Sequence, residues 1–263
     1  MGFSRVRAAA LVALAAGCWV SGSSRVLAQT VDEIVAKHIE ARGGYDRIKA
    51  IQTLKITRTV ATPFSSVTVV IYKKRPNLLR MEQTPKGGAM APRGVNADVA
   101  WDLQQNKLLT RPEKVALETR EVEADFDGLL VDWKEKGHTV TLEGSEPITG
   151  RDAWKLKVTT KGGFVRYVFI DKQTFMETGM SGRVLTPAVD PKTGEHRFND
   201  SVWVFSDFRD VNGVKFPFSI DEDRTGGPIT QSFATYTDRI EVNVPMDDAL
   251  FNPPAGATAG GRP

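Results

Sequence analysis

Cysteine is almost absent from the 263-residue sequence, which contains only Cys18. Because Cys18 lies within the first 28 residues, the rest of the chain has no thiol with which to form a disulfide bond. The same absence excludes a thiol nucleophile there. About 235 residues are ample for a single domain with a hydrophobic core, so we expect that core alone to stabilise the fold.

The sequence also has no apolar run long enough to span a bilayer. The run from Ala8 to Val20 has about 13 residues, whereas a hydrocarbon core of about 30 Å needs about 20. Two arginines precede it, and the small-residue site Val26-Leu27-Ala28 follows it. This order predicts a secretory signal over residues 1–28, cleaved before Gln29.

Cys18 leaves an alternative open for the N-terminus. The stretch from Leu14 to Cys18 loosely resembles a bacterial lipobox, in which the cysteine is acylated and the protein is anchored by lipid. Otherwise we expect soluble export into the periplasm, with no transmembrane segment in the mature chain.

Neither sign of charge dominates once the predicted signal is set aside. The whole chain has 35 basic and 32 acidic residues, but three basic ones, Arg5, Arg7 and Arg25, lie in residues 1–28, where there is no acid. Subtracting these three leaves 32 basic against 32 acidic residues. Because nucleic-acid affinity rests on neutralising phosphates, we expect no nucleic acid as a partner.

Recognised catalytic motifs are missing as well. The sequence contains no nucleophile elbow, phosphate-binding loop, dinucleotide-binding glycine pattern or His-Glu-x-x-His. His38 falls on the apolar stripe of a predicted helix, His138 follows a helix-ending glycine, and His196 lies in a polar loop. No ligand spacing is recognisable, so we predict a non-enzymatic protein without cofactor or metal. The alternative is a hydrolase or metal enzyme, in which His138 or His196 converges with carboxylates in a cleft.

Hydrophobic periodicity is what the sequence does provide. Thr30 to Glu33 forms a capping box that opens a helix, and the helical stripe ends at Gly43-Gly44. From Gln52 the period changes to two, which is typical of strands. Helical spacing returns over residues 113–136, while residues 85–94, rich in Gly, Pro and Met, are typical of a mobile loop.

These elements predict a mostly β (α+β) domain over residues 29–254. We expect a single large curved antiparallel sheet of about eleven strands that forms an incomplete β-barrel with a helical lid. The low-complexity segment 255–263 is predicted to be a disordered tail.

Arg58 is unusual among the predicted strand residues. Its spacing places it on the face of Leu54, Ile56 and Val60, which should point inward, and burying a lone guanidinium is costly without a partner. One interpretation is a cation inside an apolar hollow, positioned to hold a carbonyl or an anionic head group. The alternative is that Arg58 lies near a strand end and reaches solvent.

Strand aromatics and aliphatics support an apolar hollow. Core filling is the default role for such side chains, but a curved sheet covered by helices can leave a concavity that binds lipid. The predicted lining comprises Leu54, Ile56, Arg58, Val60, Val67, Val69, Ile71, Met81, Trp101, Trp203, Phe205, Phe216, Phe218 and Phe233.

Three segments carry a family resemblance. They are Val31 to His38 with Gly43-Gly44, Asp210 to Pro217, and Val242 to Phe251. With the order of elements, they resemble the LolA/LolB-like superfamily of periplasmic outer-membrane lipoprotein-sorting factors.

The resemblance implies an incomplete β-barrel whose lid covers an apolar cavity for acyl chains. In the carrier of that family an arginine inside the barrel controls lid closure, and Arg58 is the candidate for that role. Ala89 to Pro92 is the candidate for the membrane-inserting loop of the LolB branch.

The predicted function is a non-enzymatic periplasmic carrier or binding protein for a lipid, a lipoprotein acyl chain or another hydrophobic ligand. The alternative is an envelope structural or interaction protein that binds a protein partner through the same surface.

Overall fold

The computed structural model describes residues 29–62, 65–88, 91–104, 106–226, 230–255 and 258–259. The predicted signal, Cys18, and part of the predicted tail lie outside these residues, as do Ala89 and Met90. Every described helix is too short or too polar to cross a membrane.

The first helix, α1 (Val31–Arg42), begins as its sequence predicts. The Thr30 hydroxyl accepts from the Glu33 amide at 3.2 Å, and the Glu33 carboxylate accepts from the Thr30 amide at 2.9 Å. The helix ends at Gly43, where φ is +130° and an added Cβ would lie 2.0 Å from the Gly213 carbonyl oxygen. A side chain is therefore excluded where α1 meets the sheet. The second helix is α2 (Tyr45–Ala50).

The remaining chain forms one open sheet. Its strands are β1 (Thr53–Ala61), β2 (Ser66–Lys74), β3 (Leu78–Pro85), β4 (Ala91–Val95), β5 (Ala100–Gln104), β6 (Lys107–Thr110), β7 (Thr139–Ile148), β8 (Arg151–Thr159), β9 (Val165–Asp171), β10 (Glu177–Val189), β11 (His196–Val211), β12 (Val214–Thr225), β13 (Gln231–Val242) and β14 (Thr258–Ala259). The order is β14-β6-β5-β4-β3-β2-β1-β13-β12-β11-β10-β9-β8-β7. All neighbours are antiparallel except β14, which runs parallel to β6.

This topology explains what covers the sheet. Strands β6 and β7 are consecutive in the chain but lie at opposite ends of the strand order, with only the two-residue β14 outside β6. The chain between them, residues 111–138, must therefore cross from one end of the sheet to the other. We call residues 113–137 the cover segment.

The cover segment corrects the predicted long helix over residues 113–136. It contains a short helix, α3 (Glu113–Glu118), and a π-helical turn (Thr119–Glu123), followed by turns up to Gly137. Gly128 takes φ +88°, a left-handed conformation that interrupts a helix. Beyond Glu123 the apolar residues at helical spacing still pack against the core, as Leu129 and Leu130 do, but the backbone is not helical.

The strand count is also corrected. The sheet has thirteen antiparallel strands and the short β14, rather than about eleven. β4 forms where a mobile loop is predicted, and β11 begins within the polar loop predicted over residues 190–200, which shrinks to residues 190–195. Polar residues persist in these strands because partner strands satisfy the backbone while the side chains face solvent. Within the predicted tail, Thr258–Ala259 pairs with β6.

The core consists of two clusters of buried residues. The first joins α2 and β1–β5 to β12 and β13, and includes Ile48, Leu54 and Phe218. The second joins α1 and the cover segment to β7–β9, and includes Ile34 and Leu156. A cavity lies between α1, the sheet and the cover segment, next to these two clusters.

Candidate functional site

The cavity has a volume of about 380 Å³. Strands β1–β3 and β10–β12 contribute side chains from the sheet, and α1 and cover-segment residues Val122 to Leu129 contribute the rest. The apolar lining comprises Leu54, Ile56, Ile71, Leu79, Met81, Val122, Phe126, Leu129, Met176, Met180, Phe205, Phe208, Phe216, Pro217 and Ile220. Gly128 and nine titratable side chains complete the lining: His38, Arg42, Arg58, Lys73, Glu123, Asp125, Asp127, Glu177 and Lys215. A mainly apolar lining combined with convergent polar groups is typical of a small-molecule site.

Half of the predicted lining residues lie along this cavity. They are Leu54, Ile56, Arg58, Ile71, Met81, Phe205 and Phe216. The alternation of β1 and β2 brings most of them together because inward positions recur every second residue.

The other seven predicted residues lie elsewhere. Trp101 is fully buried, and its Nε1–H donates to the Phe251 carbonyl at 3.1 Å. Val69 and Phe218 are buried in the first core cluster, against which Val60 and Val67 pack. Trp203 and Phe233 are half-buried away from the cavity. Five of the seven, Trp101, Val60, Val67, Val69 and Phe218, therefore fill the core or pack against it.

Arg58 lines the cavity and is half-buried. Burial lowers its pKa to about 10. Its Nε is buried without a partner, and among the described residues the side chain has no hydrogen bond or ion pair. Arg58 lies within β1 (Thr53–Ala61) and not at its end.

Lys73 is a second cation in the cavity. It extends from β2 on the face of Val69 and Ile71, and its ammonium donates to the Asp125 carbonyl at 2.9 Å. Burial lowers its pKa to about 8, and repulsion from Arg58 acts in the same direction against the attraction of Asp125 and Glu123. The sequence analysis missed Lys73, although its spacing from Ile71 is the signal that identified Arg58.

The three cover-segment acids that line the cavity, Glu123, Asp125 and Asp127, form ion pairs with cations other than Arg58 and Lys73. Glu123 pairs with Arg93, and Asp125 accepts from Lys136 at 2.7 Å. In each pair the carboxylate reaches a specific basic side chain and is not left facing the cavity alone.

Asp127 is the most connected of these acids. It accepts two hydrogen bonds from Arg75, at 2.6 and 2.7 Å, and one from Lys49 at 3.0 Å. Burial alone would raise the pKa of Asp127, but the bonds from Arg75 and Lys49 outweigh it and lower that pKa. The turn at residue 127 is thereby fixed to α2 and to the end of β2.

A second polar group of the cavity surrounds Glu177 at the start of β10. Burial raises the pKa of Glu177 to about 7, against the attraction of Arg42. Arg42 itself donates to the Asp127 carbonyl at 2.8 Å. His38, which the sequence places on the apolar stripe of the first helix, is buried and donates from Nδ1 to the Phe175 carbonyl at 2.9 Å. Burial and Arg42 lower the pKa of His38 to about 3, which keeps the ring neutral.

Glu177 gives the protein a testable pH dependence. Because its folded pKa lies above the usual value, the folded state binds more protons than the unfolded state between about pH 4.5 and 7. Stability should therefore fall as pH rises through this window. We expect Glu177→Gln to be more stable than the unchanged protein by about 3 kcal/mol at pH 8, with the difference vanishing below about pH 4.5.

Urea denaturation across this pH range measures the effect of Glu177. Glu143→Gln, an exposed change on β7 that removes the same charge, is the matched control and should leave the pH profile unchanged. A constant difference between Glu177→Gln and the unchanged protein from pH 4 to 8 would contradict the assignment.

The other two histidines are not brought into the cavity. His138 is buried, with Nδ1 3.5 Å from the Leu129 carbonyl. His196 begins β11, and its Nδ1 has no partner within the described part of the chain. No group of three or more His, Cys, Asp or Glu in the described ranges is arranged to hold a metal ion. The convergence that the enzyme alternative requires is not formed at either residue.

The fold is similar to those of three solved structures. A LolA superfamily protein from Nitrosomonas europaea matches with a TM-score of 0.55 and 12% identity, covering 86% of this chain and 99% of that one. A domain described as an outer membrane lipoprotein-sorting protein from Vibrio parahaemolyticus has a TM-score of 0.52 and 10% identity, covering 84% and 95%. A DUF1329 family protein from Desulfovibrio piger has a TM-score of 0.53 and 12% identity, covering 86% and 98%.

At such identities the likeness establishes the fold alone. The predicted LolA-like fold is confirmed. No protein-family model and no curated protein matches the sequence.

Proposed function

We propose that this chain, which has a LolA-like fold, is a non-enzymatic periplasmic carrier or binding protein for a lipid, an acyl chain or another hydrophobic ligand. The observation that carries the proposal is the apolar cavity of about 380 Å³ between the sheet and the cover segment. Its volume falls within the range of about 300–1,000 Å³ usual for small-molecule sites.

Burial of an apolar chain supplies the driving force. Each methylene removed from water contributes about 0.8 kcal/mol, and the side chains that meet it are aliphatic, aromatic or methionine. Met81, Met176 and Met180 line the cavity, and methionine adapts readily to ligands of varied shape. These features support a site that selects ligands by their hydrophobicity more than by one particular shape.

The cover segment is proposed to act as the lid. It lines the cavity through Val122 to Leu129, and its turns are attached through Glu123 to β4 and through Asp127 to α2 and Arg75. Side-chain ion pairs of this kind can break and reform without unfolding the sheet. A ligand would enter when this segment moves and be enclosed when it returns.

Export to the periplasm is part of the proposal. It rests on the predicted signal over residues 1–28, and the lipid anchor at Cys18 is its alternative. Mass analysis of the protein purified from a bacterial envelope distinguishes the two: a chain starting at Gln29 supports export, and an acylated Cys18 supports the anchor.

Binding of an envelope protein partner is the second candidate function. The β10–β11 hairpin exposes Val189 and Phe198, at 47% and 37% of their surface. Exposed apolar side chains on neighbouring strands are common in protein interfaces. The largely apolar cavity supports the carrier function over this candidate.

Filling the cavity tests the carrier function. Met180→Trp places a larger side chain in the lining and should weaken binding of the neutral fluorescent probe N-phenyl-1-naphthylamine at least tenfold, which is about 1.4 kcal/mol. Fluorescence titration of the purified protein, with any bound lipid first extracted, measures this affinity.

The matched control for this titration is Val202→Trp, at a position exposed to 45% on β11. It adds the same ring outside the cavity and should leave probe affinity unchanged. Equal affinity of both variants and of the unchanged protein would place the probe elsewhere and contradict the proposal.

A further inference from the structure

Arg58 differs from the other well-buried arginines of the molecule. Arg75 pairs with Asp127, Arg93 with Glu123 and Arg166 with Glu118. Arg42 lacks a short ion pair but donates to the Asp127 carbonyl. Arg58 alone among these five has neither kind of contact within the described residues, and a buried guanidinium without partners is costly.

The position of Arg58 within the cavity is set by the pairing of β1 with β2. Arg58 lies opposite Val69, and Lys73 lies opposite Leu54. Between them Ile56 faces Ile71, so two cations flank an apolar floor. The two cations repel each other across this floor.

The protein's own acids do not neutralise this part of the cavity. Glu123 and Asp125 attract Lys73, but their carboxylates bond to Arg93 and Lys136 respectively. Both carboxylates are therefore already bonded to other cations, and within the described residues neither forms an ion pair with Arg58. An anion beside Arg58 would gain a charge-assisted partner.

We infer that the cavity recognises long-chain amphiphiles with an anionic oxygen head group, held by Arg58 and attracted by Lys73. This inference rests on the proposed function and names its ligand class. The aliphatic chain lies on the apolar lining that includes Ile56, Ile71 and Met81. Carboxylate and phosphate head groups share the chemistry that a guanidinium binds.

Displacement of N-phenyl-1-naphthylamine by ligands of equal chain length tests the inference. Palmitate, hexadecyl phosphate and hexadecanol are titrated against the probe-loaded protein. At least one of the two anions should displace the probe at a concentration at least tenfold below that of hexadecanol. Displacement by only one of them identifies the carboxylate or the phosphate as the natural head group.

Arg58→Met should abolish this preference for anions while the neutral probe still binds. Arg58→Lys should restore part of it, and Lys73→Met should reduce it less than Arg58→Met does. Arg239→Met, at an arginine whose side chain is 70% exposed on β13, is the matched control and should retain the full preference.

The outcomes separate this inference from the proposed function. If the unchanged protein does not bind the neutral probe, the proposed function fails. If it binds the probe but shows no preference for either anion over hexadecanol, the inference alone is wrong, and this comparison needs no variant. A full preference in a folded Arg58→Met protein would also overturn it.

Discussion

Replacing Arg166 by Met is expected to lower the free energy of unfolding by about 3–5 kcal/mol, because it leaves the Glu118 carboxylate buried without its cation. The Arg166 and Glu118 side chains are only 2% and 6% exposed, and they meet at 2.5 Å. The second carboxylate oxygen of Glu118 accepts a hydrogen bond from the Leu185 amide at 2.8 Å. One ion pair thus joins α3, the first part of the cover segment, to β9 and β10.

Urea denaturation followed by tryptophan fluorescence measures the loss. Arg183→Met, at an arginine whose side chain is 69% exposed and that pairs with Asp200 at 3.3 Å, is the matched control and should cost less than about 1 kcal/mol. The double change Arg166→Met with Glu118→Leu should recover much of the stability, since an apolar pair removes the unpaired charge. A loss below 1 kcal/mol in Arg166→Met would show that the pair is not buried in solution.

Replacing Asp127 by Ala is expected to cost about 2–4 kcal/mol and to loosen the cover segment. The change leaves Arg75 without its bidentate partner and removes one of the two carboxylates that bind Lys49. Because Lys49 keeps Asp132 and is one-third exposed, Arg75 should account for most of the loss.

Hydrogen exchange of the amides in residues 119–130 reports the loosening directly. These amides should exchange faster in Asp127→Ala at denaturant concentrations where the sheet remains protected. Asp132→Ala removes only the contact with Lys49 and is the control, with a smaller expected effect. If the segment and the sheet exchange in parallel, the cover segment does not open separately, and its proposed function as a lid is contradicted.

Local pattern predicted much of this architecture. The capping box at Thr30 and the glycine at residue 43 define α1 through contacts within four residues of the chain. Strand alternation placed Leu54, Ile56 and Arg58 on the inward face. Short-range geometry decides both features, so the sequence alone is sufficient for them.

Inference from hydrophobic spacing failed where two different structures produce the same spacing. Residues 113–136 have apolar residues at helical spacing, yet only Glu113–Glu123 is helical. The rest follows a path set by the distance between β6 and β7. Trp101 has the alternation of a cavity residue, but its indole is enclosed by the core and bonded to Phe251.

The polar part of the candidate site was only partly predictable. Arg58 was identified because it interrupts an apolar face, and Lys73 carries the same signal on β2. Glu177 has no such signal, since its burial depends on Arg42 and on the cavity that α1 helps to form.

The sequence by itself determined a mostly β chain with an N-terminal capped helix, and it placed one arginine on an apolar face. Only the tertiary structure decided which charges are paired and which remain free. Asp127 meets Arg75 across 52 positions of the chain, and Glu118 meets Arg166 across 48. Periodicity reports which face of an element is buried, whereas charge pairing depends on how distant strands are ordered and how the cover segment crosses them. That ordering is why, within the described residues, Arg58 lines the cavity without an ion pair.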